Sequence, residues 1–565
     1  MKRIVMVMAA WLMVAVVGMA QKSEKRYTCP LKIAYRISGT YGELRGNHYH
    51  AGLDMGTAGV ENIEVHSADD GWVSRVKVGP YGYGRALYID HPDGHTTVYG
   101  HLNGFAQKID SIVRKEQYGK QSFEVQLFIE KGKILVKRDE IVAYSGNTGG
   151  SGGPHLHFEV RDTKTEEPLN PMRFMETAAD NVPPTLFGIK IYALSKDAQV
   201  AGGRNDRYLP LAQANGKTID AIGKIGVGIH CTDYVEKGGR PCGIIEINLY
   251  DGDELVYHSR VDHFPFDLNK HVNSHIDFKE SVSNKRFVQK SFVSPGNKLP
   301  IYGEIKTPTI IGEGETHKMR YEVMDFAGNK SILRFTLRGR RNAALGEKEK
   351  PKGDLVAWEK TWAKDTLGID VLIPHHSLYE DCHVDIVRTD RGATLPAAYT
   401  IGDTGIPIQK SMVVTMSVPE KWKGMGSKVF VGRMVGKGMV YAGGEMRVDN
   451  GVGNVTLISA RVPQFGTYSI DVDTIAPTVG IRNKSTLLRR DSWIYIGVGD
   501  DKSGVAKYNV WIDGKWEVFE YDYKNSRLKA QINYLNIKRG SHTLRAEVWD
   551  SCGNKKEVNW TFKVD

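Results

Sequence analysis

From residue 178 to the C-terminus, apolar and polar residues alternate in short runs that stop at Gly, Pro, Asn or Asp, and few stretches keep the period of an amphipathic helix. Successive side chains of an extended strand point to opposite faces, so each run buries one face and wets the other. A chain written this way folds as consecutive β-sandwiches. At about 150 residues per domain, its 565 residues make three to four domains, each able to bury a core.

An internal repeat supports that reading. Glu322-Val323-Met324-Asp325-Phe326-Ala327-Gly328-Asn329-Lys330 returns as Glu547-Val548-Trp549-Asp550-Ser551-Cys552-Gly553-Asn554-Lys555. Each copy opens at a proline-marked junction, Val182-Pro183-Pro184-Thr185 and Ile475-Ala476-Pro477-Thr478. The copies resemble immunoglobulin-like modules of exported bacterial proteins, which implies architecture and not activity. We place these modules at 178–340 and 474–565, with a charged linker at 341–353 and a β-domain of open type at 354–473. The acidic turn Asp500-Asp501, with Asp473 nearby, lacks the twelve-residue calcium-loop pattern and reads as solvated turn residues.

The same alternation carries chemistry at Gly153-Pro154-His155-Leu156-His157-Phe158-Glu159-Val160. In a strand His155 and His157 share one face, roughly 7 Å apart, so one imidazole can bind a metal while the other reaches a water on it. Leu156, Phe158 and Val160 form the apolar face that holds the pair rigid. Upstream, His50-Ala51-Gly52-Leu53-Asp54 must bend for His50 and Asp54 to meet one ion, because extended they stand roughly 13 Å apart. Gly52 makes the bend cheap. Two histidines and a carboxylate leave one tetrahedral position of a zinc ion open, the pattern of a catalytic site and not of a structural one. Zinc lowers the pKa of a bound water and polarises a carbonyl, two requirements of amide hydrolysis.

Arg45-Gly46-Asn47-His48-Tyr49-His50-Ala51-Gly52-Leu53-Asp54, Ala68-Asp69-Asp70-Gly71-Trp72-Val73, Tyr99-Gly100-His101-Leu102 and Ser145 through Phe158 occur in the order found in lysostaphin-type zinc endopeptidases. The resemblance covers roughly residues 30 to 177 and implies an antiparallel-β metallopeptidase domain at 21–177. By motif position it implies zinc ligands His50, Asp54 and His157. It also implies that His155 and His101 divide the roles of general base and stabiliser of the tetrahedral intermediate, in an order that the sequence leaves open. Peptide cross-links of peptidoglycan are the implied substrate. The alternative is a non-catalytic scaffold or activator of cell-wall hydrolases, whose expected mark, a lost ligand or histidine, is missing here.

His48 lacks a carboxylate at the spacing that joins His50 to Asp54. His91 and His95 bracket Pro92-Asp93-Gly94, hairpin chemistry between strands at 86–89 and 96–99. His66 reads as structural. The glycine run 146–153 lacks the phosphate-loop pattern and leaves room for a peptide backbone. The stretch 105–137, with a short helix near 109–118 and a strand at 122–129, walls the substrate groove or extends the sheet; the wall is favoured. Asn47, or a residue of 21–39, is a candidate to cover the open zinc position in a resting state.

Lys2 and Arg3 precede an apolar run at 4–17 and the small residues Gly18-Met19-Ala20, a signal peptide cut after Ala20. The expected product is exported to the periplasm or cell envelope, with no stable membrane insertion. Its net charge, +10 for the whole chain, suits anionic wall polymers, while basic clusters interleaved with aromatics are missing, which excludes nucleic acid. A protein partner through the β-sandwich modules is open. Of five cysteines, Cys231 and Cys242 are the pair close enough to close a loop.

Overall fold

Residues 27–346, 350–392, 395–449 and 455–565 are described by the computed structural model; the expected signal peptide at 1–20 lies outside them. Four large apolar cores follow one another along the chain, each enclosed by strands. The protein is mainly β, an N-terminal antiparallel sheet followed by further β-domains.

The N-terminal sheet has nine strands. Seven of them form its spine: β1 (Arg36–Gly39), β2 (Leu53–Gly56), β3 (Gly71–Val78), β4 (Arg85–Asp90), β5 (His95–Gly100), β6 (Val125–Phe128) and β7 (His155–Asp162). Their spatial order is β1-β2-β7-β5-β4-β3-β6, every neighbour antiparallel. The hairpin β4–β5 turns at the expected Pro92-Asp93-Gly94. β7 lies between β2 and β5, its Leu156, Phe158 and Val160 fully buried as the alternation requires. Helix α1 (Gln107–Lys120) buries Ile109 and Val113 against this core, and β6 extends the sheet beside β3. The stretch 105–137 therefore extends the sheet and does not line the cleft beside Asp54 and His155.

The following domain hangs on one 15-residue strand, Thr218–Thr232. Its C-terminal half pairs with Thr185–Ala193, and Thr218–Asp220 pairs in parallel with Lys330–Arg338, so one strand serves both layers of the sandwich. The region 354–473 has two five-stranded sheets around a shared core, and the last domain has a four- and a five-stranded sheet around another. The five thiols are free, with Cys231 Sγ accepting from Gln289 Nε2 and Cys242 Sγ donating to the Arg240 carbonyl.

Two contacts bring later domains onto the N-terminal sheet. Tyr41, Tyr49 and Ala51 share a small core with Ile245, Val261, Phe264, Val272, Leu299 and Ile301. The Asn269 side chain accepts from Tyr49 N at 2.7 Å and donates to Tyr49 O at 3.0 Å, which clamps the loop that carries His50. At the other side Arg85 pairs with Glu520 at 2.7 Å, Tyr118 Oη donates to Glu517, and Lys524 Nζ donates to the carbonyls of Asn147 and Ser151. Helix α1 is thus a platform for the last domain.

Candidate metal centre

β2 and β7 are paired so that His157 stands opposite Asp54, and the register puts His155 opposite Gly56. His50 enters from the loop before β2, held by backbone bonds from His50 N to Glu43 O at 2.8 Å and from Gly42 N to His50 O at 2.9 Å. The bend between His50 and Asp54 does pass through Gly52, for a different reason than a positive φ. A Cβ there would lie 2.4 Å from Phe158 O and 3.1 Å from the His157 ring, so only glycine lets the two segments close.

Three ligand atoms converge. His50 Nε2 is 3.0 Å from His157 Nδ1 and 3.1 Å from Asp54 Oδ1, and His157 Nδ1 is 2.9 Å from Asp54 Oδ1. Three atoms bound to one tetrahedral ion at ~2 Å stand about 3.3 Å apart, so the buried triad fits a zinc ion with little adjustment. The outer nitrogens are fixed as well. His50 Nδ1 lies 2.9 Å from the Thr40 carbonyl and must carry the proton, leaving Nε2 as the ligand. His157 Nε2 lies 2.7 Å from Glu159 Oε1, leaving Nδ1 toward Asp54. A carboxylate behind a ligating imidazole sets its tautomer and raises its basicity. Glu159, fully buried, is held in turn by Arg161 and by Tyr83 Oη.

The charges follow from these contacts. Burial disfavours the Asp54 carboxylate, yet the charge of His50 and the hydrogen bonds that His155, His157 and His50 would give it when protonated in the metal-free site hold its pKa well below the usual range. Burial likewise opposes a charged His157, and Asp54 and Glu159 outweigh it and raise the ring to about 9. Glu159 is lowered to about 2, burial being overcome by Arg161 and His157. Arg45 Nη2 bonds Asp54 Oδ2 at 2.8 Å and Glu43 at 2.9 Å, orienting the ligand from outside.

His155 and His101 stand beside the triad. His155 Nε2 is 3.4 Å from Asp54 Oδ1, and its Nδ1 lies 2.8 Å from the Gly153 carbonyl, so Nε2 is the nitrogen turned toward the triad. His101 Nδ1 lies 2.8 Å from the Thr148 carbonyl, and its ring centroid is 4.8 Å from that of His155. Burial and the neighbouring His157 and His155 push its pKa down to about 3, so it presents a neutral ring. His101 has φ +58°, an uncommon backbone state for a non-glycine residue and one that recurs at functional sites. Asn47 faces His48, its Oδ1 2.8 Å from His48 Nδ1, and Arg45 is the residue that reaches the ligands. His91 is more than a turn residue: its ring is buried between Asp70 O and Thr97 Oγ1.

Residues 48–120 match Peptidase family M23. The chain carries an M23 peptidase domain. A second match, a Zu5-like domain at 353–473, gives a type to the β-domain that the sequence pattern left open. The curated DD-carboxypeptidase/endopeptidase Mpg of Neisseria meningitidis is 30% identical over 142 residues, 24% of this chain and 26% of that protein. The peptidoglycan DD-endopeptidase ShyB of Vibrio cholerae is 34% identical over 111 residues, 20% of either chain. A solved zinc-containing peptidase from Vibrio cholerae is 30% identical, with 25% of this chain and 38% of that one covered and a TM-score of 0.19. The chain spans about a quarter or less of the length of these curated relatives.

Glu159, Thr40 and Arg45 escaped the sequence reading. For Glu159 the signal was present, since it shares the strand face of His155 and His157. The Thr40 carbonyl leaves no trace in a side-chain pattern.

Proposed function

We propose that the protein is an exported zinc endopeptidase that hydrolyses peptide cross-links of peptidoglycan. The observation that carries this reading is the convergence of His50 Nε2, Asp54 Oδ1 and His157 Nδ1 within 3.1 Å, with His155 and His101 both in place beside them. A bound zinc ion supplies Lewis-acid polarisation of the scissile carbonyl and acidifies water. The protein supplies the rest. His155 and His101, each tied through Nδ1 to a backbone carbonyl, turn Nε2 toward the centre as two candidate acceptors for the proton that the attacking water loses. One of them returns that proton to the leaving amine. Because burial keeps His101 neutral at rest, it stabilises negative charge only after it has gained a proton.

A cleft of about 900 Å³ leads to the centre, lined by Arg36, Arg45, Asp54, His155 and Arg240. Its arginines suit substrate carboxylates. Gly152 and Gly153 on its rim have open space where a side chain would sit, which lets a substrate backbone approach. The β-domains position the M23 domain on the wall or on a protein partner. Among the described residues no helix is long and apolar enough to cross a membrane.

The test is incubation of the purified protein with sacculi and separation of the released muropeptides. Cross-linked dimers should fall with the wild-type protein and persist with His155→Ala and Asp54→Ala. Equal dimer content in all three sinks the proposal.

A further inference from the structure

The turn Asp500-Asp501 is half-buried to exposed, as solvated turn residues are, but the carboxylates around it and around its counterpart in the first module are buried. Asp180, Asp233 and Asp325 each bring a carboxylate oxygen within 4.8 Å of the others, and Asp473, Asp500 and Asp550 do the same. Asp233 and Asp325 are 3% exposed, Asp473 0% and Asp550 3%. Among the described residues none of the six is ion-paired to a Lys, Arg or His; Lys428, beside the second set, donates to the Cys552 carbonyl. In each set two carboxylates are buried and the third, Asp180 or Asp500, is half-buried; gathered without a cation they repel one another and lose solvation, an arrangement that a counter-charge relieves.

The unsatisfied atoms show where that charge belongs. Asp233 Oδ1 is buried with no hydrogen-bond partner, and Asp500 Oδ1, at the matching place in the second module, is in the same state. Part of the scaffold around them repeats, although in the second module Asp500 Oδ2 also accepts from Lys502 N, Ser503 N and Gly504 N, and Asp473 Oδ2 from Ser503 Oγ. Asn329 N donates to Asp325 Oδ1 at 2.9 Å and Asn329 Nδ2 to Asp325 Oδ2 at 2.8 Å and to Asp180 O at 3.2 Å. Asn554 repeats all three, to Asp550 Oδ1 at 2.8 Å, Asp550 Oδ2 at 2.7 Å and Asp473 O at 3.0 Å. Val182 N caps Asp180 Oδ1 at 2.9 Å, and Ile475 N caps Asp473 Oδ1 at 3.2 Å. The Asp-x-x-Gly-Asn turn thus aims one carboxylate at the segment entering the module, and leaves one oxygen of the middle Asp bare.

We propose that each module holds a calcium ion at its N-terminal junction, bound by Asp180, Asp233 and Asp325 in the first and by Asp473, Asp500 and Asp550 in the second. The donors are all oxygen and carry three negative charges, which suits a hard divalent cation and not a metal that prefers nitrogen or sulfur. Two oxygens on opposite sides of calcium at ~2.4 Å span about 4.8 Å, and both clusters fall within that span. Position gives the ions a purpose. Asp180 lies between the M23 core, which ends at Met175, and the first strand of its module at Thr185. Asp473 closes the Zu5-like match and opens the last module. A cation at each place ties the connecting segment to two turns of the next domain, and so fixes how consecutive domains are joined.

The experiment is equilibrium dialysis of the full chain against calcium, with Asp233→Asn, Asp500→Asn and the double variant beside it, and thermal unfolding of each in calcium and in chelator. Two calcium ions per wild-type chain are expected, one in each single variant and none in the double, with midpoints on the order of 0.1–1 mM as for extracellular modules. Zinc at His50, Asp54 and His157 is unaffected by these substitutions and is counted separately on the same samples. In chelator the Asn variants should unfold at or above the wild-type temperature, because a repelling charge is gone; in calcium they should unfold below it. No saturable calcium binding by the wild type, or Asn variants that are less stable in chelator as well, overturns the proposal.

Discussion

Glu159 sets the metal centre as firmly as the ligands do. Its carboxylate holds His157 Nε2 at 2.7 Å and so dictates that Nδ1 faces His50 and Asp54. Removing such a partner costs about 10- to 100-fold in metal affinity. We expect Glu159→Gln to weaken zinc binding by that factor in competition with a chromophoric chelator; an unchanged affinity would show that the imidazole is oriented by something else. That His50, Asp54 and His157 meet is what the resemblance to lysostaphin-type endopeptidases implied, and the fold brings the three side chains together. Their order of duty was not legible, since the proton positions are set by the carbonyls of Thr40, Gly153 and Thr148, which no side-chain pattern reveals.

At the scale of elements, the strand β7 works because alternation places three apolar residues under the histidines and Gly52 lets the His50 segment lie against it. Gly52→Ala puts a methyl group 2.4 Å from a backbone oxygen that cannot move without shifting β7. The expected loss is roughly 1–3 kcal/mol of stability together with most zinc binding, read by thermal unfolding and elemental analysis. The short helix Val272–His275 adds a pH dependence. His275 is buried between Gln289 Oε1 and Tyr302 Oη, and burial lowers its pKa to about 4. The unfolded chain takes up its proton near pH ~6.5 and the folded chain only near 4, so stability is whole above ~6.5 and falls as the pH drops through that window. His275→Gln should flatten this part of the pH–stability curve; an equally steep curve would assign the acid sensitivity to other groups. Strands, the hairpin at Pro92-Asp93-Gly94 and the helix near 109–118 were readable because each is coded by local period and turn chemistry. The shared strand Thr218–Thr232 was not, because a strand that changes sheets has the same alternation as one that does not.

In the whole molecule the M23 domain is buttressed from two sides. Asn269 satisfies both backbone groups of Tyr49, the residue before His50, from the following domain. Asn269→Ala leaves two buried backbone groups unpaired, at a cost of about 1–3 kcal/mol, and should lower zinc occupancy though the residue touches no ligand; full occupancy would mean that the loop keeps its shape alone. From the other side, Lys524 holds the carbonyls of Asn147 and Ser151 in the glycine-rich loop beside His155. Lys524→Ala should speed hydrogen exchange across 146–153 and leave the strand β7 protected. These long-range contacts were not legible in the sequence, since complementary surfaces far apart in the chain carry no periodic signal. The central claim, hydrolysis of a peptide cross-link at the His50–Asp54–His157 centre, is tested most directly on a purified cross-linked muropeptide dimer, with the zinc content of each sample measured alongside. Wild-type protein holding one zinc should convert the dimer into two monomers with uptake of one water, His155→Ala should keep its zinc and lose that activity, and Asp54→Ala should lose both. An intact dimer after incubation with zinc-loaded wild-type protein would contradict the account.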